Sequence, residues 1–146
     1  MQGTVLALAL RPVKGAEMVT CDSLNLSRKE GVIGDHGTSR KRQVSLLDEV
    51  AWNVACESVG HDLPWTVRRA NILIQGIDLP GLVGQTVRLG STEIEILGEV
   101  TPCHLMDAVK NGLKDALVPE WRGGVYGRVI ESGGIQIGDK ISSIKL

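Results

Sequence analysis

Apolar residues along the chain recur with two periods, and the alternating one dominates. Residues 4–10 set Leu6, Leu8 and Leu10 against Ala7 and Ala9, which predicts a first strand apolar on both faces. Residues 72–74, 86–89, 92–97, 125–131, 135–137 and 140–144 read as further strands, rich in Val, Ile and Leu. Gly90-Ser91 suits a tight hairpin turn, and Gly133-Gly134 and Gly138-Asp139 mark the next two reversals. Residues 11–25 carry Pro12, Gly15 and Asp22-Ser23 and read mostly as loop, with Cys21 inside it.

The helical period is clearest after Ser45. Ser45 and Asp48 have capping-box spacing, and Gly60 supplies a stop. Leu47, Val50, Ala51, Val54 and Ser58 fall on one face, the expected buried one. Trp52, Cys56 and Val59 form a second apolar stripe, so the helix is expected to be covered twice, by the core and by another loop or subunit. Residues 113–117 allow a further helical turn or two before Pro119. Short strands with glycine turns plus one or two helices predict a mainly β protein, a β-barrel with helical insertions.

Composition narrows this picture. A chain of 146 residues is one domain with a proper core. Phe is absent and aromatics total 3%, so that core must be aliphatic. A formal net charge of −1 gives no bulk electrostatic case for nucleic acid or a membrane surface. Residues 1–10 lack a basic flank and read as a strand, not a signal peptide. No apolar run approaches the ~20 residues that span a bilayer. The 3 cysteines are odd in number and form no Cys-x-x-Cys pair, which argues against a disulfide framework or an all-cysteine zinc site within one chain and suits a reducing cytoplasm.

The chemistry centres on Cys103. A strand-like run over 93–100 arrives at Pro102, and a helix-compatible run over 105–110 leaves from it. Proline pre-sets the first turn of a helix, so Cys103 is expected near a helix N-terminus. Free N–H groups there favour a thiolate, which is a nucleophile and a soft-metal ligand. The competing expectation is a small buried hydrophobe, the commonest fate of a free cysteine. Cys56 is expected to be such a core residue. His36, His61 and His104 have no zinc-ligand spacing. Two basic clusters could bind oxyanions: Gly34 to Gly37 followed by Arg40, Lys41 and Arg42, and Arg68-Arg69-Ala70-Asn71. Arg122 and Tyr126, on either side of Gly123-Gly124, could line a pocket. Neither a P-loop nor a dinucleotide-binding glycine spacing is present.

Taken in order, these pieces are specific. Gly31-Val32-Ile33-Gly34-Asp35 precedes Arg42-Gln43-Val44-Ser45-Leu46-Leu47, and Arg69-Ala70-Asn71-Ile72 precedes Gly76-Ile77-Asp78-Leu79. Pro102-Cys103 follows, then Arg122-Gly123-Gly124-Val125-Tyr126 and Gly134-Ile135-Gln136-Ile137-Gly138-Asp139. The chain resembles a MOSC domain, the C-terminal domain of molybdenum cofactor sulfurases, over residues 13–145.

The resemblance implies a distorted β-barrel spanning residues 1–146 as one domain, with Cys103 as the family cysteine. It implies molybdenum cofactor (molybdopterin) as ligand, with Cys103 ligating the metal or carrying sulfur as a persulfide. Arg40, Arg42, Arg69 and Arg122 become candidate partners of the cofactor's terminal phosphate, and Asn71 of the pterin. Larger relatives carry an N-terminal barrel subdomain or a pyridoxal-phosphate desulfurase domain. Neither is expected in this chain, and no pyridoxal phosphate site is visible. A partner would then supply sulfur or electrons, such as a cysteine desulfurase or a molybdoenzyme, or a homo-oligomer would close the pocket. Three functions stay open: a cofactor-binding or sulfur-carrier module, a molybdenum-dependent reductase of N-hydroxylated compounds, and a non-catalytic interaction barrel.

Overall fold

The structure, a computed structural model, describes residues 2–36 and 42–144. Its strands are β1 (Gln2–Leu10), β2 (Val19–Cys21), β3 (Ser23–Ser27), β4 (Gly31–Val32), β5 (Val44–Asp48), β6 (Ile72–Gln75), β7 (Thr86–Leu89), β8 (Thr92–Glu99), β9 (Val125–Glu131), β10 (Gly133–Gln136) and β11 (Lys140–Ser143). Its helices are α1 (Glu49–Ser58), α2 (Leu105–Val109) and α3 (Leu113–Leu117), joined by 3-10 turns at Trp65–Arg68, Pro80–Leu82 and Pro119–Trp121.

Seven strands close into a barrel in the order β11-β7-β8-β9-β5-β6-β1, and β1 pairs back onto β11 through Gln2↔Ser142 to Thr4↔Lys140. Closure leaves no unpaired edge in the ring. Neighbours run antiparallel except β5 and β6, which are parallel. A parallel pair needs a crossover connection, and α1 with the turn at Trp65–Arg68 provides it. β2 extends the sheet from β1, and the small sheet β10-β3-β4 packs Leu24, Leu26, Val32 and Ile135 into the same interior.

Strand alternation sorts the apolar residues into two cores. Leu46, Ile72 and Ile74 point into the barrel with Val5, Leu8, Ile94, Ile96 and Val125. Leu47 and Leu73 point outward and meet Trp52, Ala55, Cys56, Met106, Leu113 and Leu117 of the helices. Cys56 is buried, as expected of a structural cysteine. Both faces of β1 are covered, since Leu6 and Ala7 pack against the outer core.

Three expectations are corrected. Ser45 does not open a helix: residues 44–48 are a strand, and Asp48 caps α1 by accepting from the Val50 N–H at 3.0 Å. A short apolar run carries no decisive period, and pairing with both β6 and β9 settles it. Residues 19–27 are not loop but two strands, which places Cys21 at the end of β2, half-buried against the barrel core. The buried face of α1 is Trp52, Ala55 and Cys56, whereas Val50 is 62% and Val54 36% exposed.

Candidate functional site

β8 ends at Glu99, and Pro102 is buried at the turn that follows. Cys103 emerges from this turn exposed, with His104 beside it at the N-cap of α2. The Cys103 carbonyl accepts from the Met106 N–H at 3.0 Å, which fixes its backbone. Cys103 is therefore a thiol at the surface of a cavity and not a core residue. α2 has only 5 residues, so the helix field expected at the thiol is small, because few peptide dipoles add up.

The cations come from the end of the α1 crossover. The turn at Trp65–Arg68 ends with Arg69 in the left-handed region, φ 64 and ψ 28. That conformation costs a non-glycine residue about 1–2 kcal/mol, and it swings the chain into β6. Two adjacent arginines thereby acquire opposite environments. Arg68 is buried, its Nε donating to the Gly123 carbonyl at 3.0 Å and its Nη2 to the Val100 carbonyl at 2.7 Å. Arg69 is exposed. Burial pushes the Arg68 guanidinium below its ordinary pKa, the nearby charges of Cys103 and Glu99 oppose that shift, and Arg42 adds to it. The paired glycines allow this close packing: a Cβ on Gly123 would lie 2.8 Å from Arg68 Nη2, and one on Gly124, at φ +99, would collide with the Leu46 carbonyl.

Cys103, Arg68 and Arg69 line one cavity of about 560 Å³. Met18 and Thr66 also line it, together with the apolar Pro64, Val67, Leu105 and Val109. A smaller cavity of about 160 Å³ adjoins it through the shared residues Met18 and Arg69. Arg42, Ser45, Asn71 and Tyr126 line that second space. Arg42 stacks over the Tyr126 ring at 5.0 Å from its centroid. Asn71 is buried and engaged: its Oδ1 accepts from the Ser45 N–H and Oγ, and its Nδ2 donates to the Ala9 carbonyl.

Of the residues singled out in the sequence, the structure brings Cys103, Arg69, Arg42 and Asn71 to these adjoining cavities. Arg122 lies elsewhere. It donates to the Ala116 carbonyl at 3.1 Å and lines a separate cavity of about 530 Å³ with Asp48, Asp78 and Trp121. Arg40 falls outside the described residues. Arg68 entered the sequence reading only as a member of a basic cluster, and the residues 15–18 that wall the Cys103 cavity carried no site assignment from sequence. A doubled arginine before a strand is the one signal that pointed to Arg68; residues 15–18 have none.

The barrel and its cysteine define a class, and sequence comparison gives that class a name. The model of the MOSC domain family matches residues 33–142, so the chain belongs to the MOSC domain family. That family is known for molybdenum cofactor binding and related sulfur chemistry. The fold is shared with the YuaD protein from Bacillus subtilis, at a TM-score of 0.81 and 20% identity, covering 97% of this chain and 94% of that one. YiiM from Escherichia coli superposes at a TM-score of 0.75 with 15% identity, over 100% of this chain and 71% of that one. YiiM from Geobacillus stearothermophilus gives 0.76 and 14%, over 98% and 75%. No curated protein matches the chain in sequence. Among the described residues no helix is long and apolar enough to cross a membrane.

Proposed function

We propose that this chain binds molybdenum cofactor in the two adjoining cavities, with Cys103 as the ligand to the metal or as a sulfur carrier beside it. The observation that carries this proposal is the placement of the exposed Cys103 thiol and Arg69 on one cavity wall, with Arg42 and Asn71 around the corner. The donor set fits such a group. Among the described residues no group of three His, Cys, Asp or Glu side chains could hold a bare metal ion. A metal at Cys103 would receive one soft thiolate and would need its other ligands from its own organic cofactor. When bound, that cofactor supplies a sulfur-rich, redox-active metal centre.

The chain's own residues have separate tasks. Arg69 and Arg42 are the cations for a terminal phosphate, which guanidinium groups grip in a fork geometry. Asn71 holds β1, β5 and β6 in register behind them and thereby sets the polar floor. The free thiols suit a reducing compartment such as the cytoplasm. A sulfur carrier needs a second protein, a cysteine desulfurase or a molybdoenzyme, to load or unload Cys103.

Expression in a cofactor-competent host followed by assay of oxidised pterin tests this. We expect pterin in the wild type and a loss of about tenfold or more in the Arg42→Ala/Arg69→Ala double variant, since each charge-assisted bond contributes about 1.5–3 kcal/mol. Equal pterin in both proteins would refute the assignment of these cations.

A further inference from the structure

Arg68 is a buried cation with no ion-pair partner among the described residues, with Glu99 and an ionised Cys103 as the negative charges within electrostatic reach. It is 8% exposed. Its Nε and Nη2 donate to carbonyl groups, which satisfy hydrogen bonds but bring no negative charge. Among the described residues neither ion pair includes it, its hydrogen bonds are those of Nε and Nη2, and since no buried side-chain nitrogen there lacks a partner, Nη1 is solvent-accessible. Buried charges are ordinarily paired. The side chain lines the Cys103 cavity. Other charged groups around it are Arg69, also on that cavity wall, Arg42 and Glu99, both within electrostatic reach, and Glu17, exposed at the rim.

We infer that Arg68 makes the cavity at Cys103 a receiving site for an anionic group, so that ligands bearing a negative charge next to the reacting sulfur are held in preference to neutral ones of equal size. The inference rests on the cavity being the ligand site proposed above, and it adds the charge class of what meets Cys103. Arg68 acts as a positioning residue. Its two carbonyl bonds tie the end of β8 to the start of β9, and its side chain lines the ligand space. Carboxylate, sulfite-like and phosphate groups share the required chemistry. Neutral amides and alcohols lack it.

The test compares two alkylating reagents of similar size, iodoacetate and iodoacetamide, on the Cys103 thiol of the full chain. In both reactions the thiolate sulfur forms a bond to carbon and iodide leaves, so the ratio of the two rates cancels the thiolate fraction. Modification at Cys103 is followed by peptide mass spectrometry at one pH and low ionic strength. We expect the iodoacetate-to-iodoacetamide ratio to fall about threefold or more from wild type to Arg68→Gln, and to recover in Arg68→Lys, because local potential raises the encounter rate of opposite charge. It also falls in wild type unfolded by urea, a comparison that needs no variant to fold. A native ratio equal to the unfolded one overturns the inference, as does a ratio unchanged by Arg68→Gln. The readout needs no cofactor. A chain that retains no pterin but keeps its ratio refutes the cofactor proposal alone, and one that retains pterin with a flat ratio refutes this inference alone.

Discussion

Asn71 shows how a residue at a site can belong chiefly to the scaffold. Its side chain bonds Ser45 of β5 and the Ala9 carbonyl of β1, while its backbone carbonyl accepts from the Ala9 N–H at 2.8 Å. Asn71→Ala leaves buried partners on two strands unpaired, at about 1–3 kcal/mol each. We expect the variant to lose about 2–4 kcal/mol in urea unfolding. A loss below about 0.5 kcal/mol, the range of ordinary surface changes, would mean that Asn71 serves the ligand and not the barrel. Asp48 is the other informative residue. Burial raises its pKa above the ordinary carboxylate range, with a further push from Asp78, against the N–H bonds of Val50 and Ala51. A raised folded pKa means that the folded chain binds the proton more tightly, so stability falls as pH rises from the ordinary carboxylate range through the raised one. Asp48→Asn keeps the capping oxygen and removes the charge. Its melting temperature should lack that fall and should match or exceed the wild-type value at neutral pH. A variant that shows the same fall would contradict this.

At the scale of elements, α1 carries the sharpest lesson. Two apolar stripes run along it, and periodicity alone could not decide which one meets the core. The larger side chain decides: Trp52 is buried and its Nε1 donates to the Leu63 carbonyl at 3.0 Å, while Val50 and Val54 line the cavity that also holds Arg122. Trp52→Ala should therefore cost about 3–5 kcal/mol, and Val50→Lys less than about 0.5 kcal/mol, both by chemical denaturation. The reverse ranking would restore the face expected from sequence. Strands such as 86–89 and 125–131 were legible because alternation and glycine turns agree there. β2 and β3 were not, since Val19–Cys21 is too short to show a period and owes its conformation to pairing with β1.

For the whole molecule, the ends of the described chain meet, with Gln2 opposite Ser142. Closure sets the loops at Cys103, Arg69 and Arg42 around shared cavities, although these residues are far apart in sequence. The order of motifs made the family legible, because each piece has its own turn and strand chemistry. The grouping of the cations was only half legible. Arg69 and Asn71 share a motif, but the separation of Arg122 depends on the left-handed backbone of Glu120 and Trp121, which no local pattern announces. The burial of Arg68 likewise depends on a carbonyl contributed by Gly123.

The most direct test is the molybdenum and pterin content of wild type and Cys103→Ala, each expressed in a cofactor-competent host and purified as the full chain. The account predicts stoichiometric molybdenum with pterin in the wild type, and loss of metal in the variant. Neither metal nor pterin in the wild type would contradict it, and molybdenum retained equally by Cys103→Ala would refute metal ligation by Cys103.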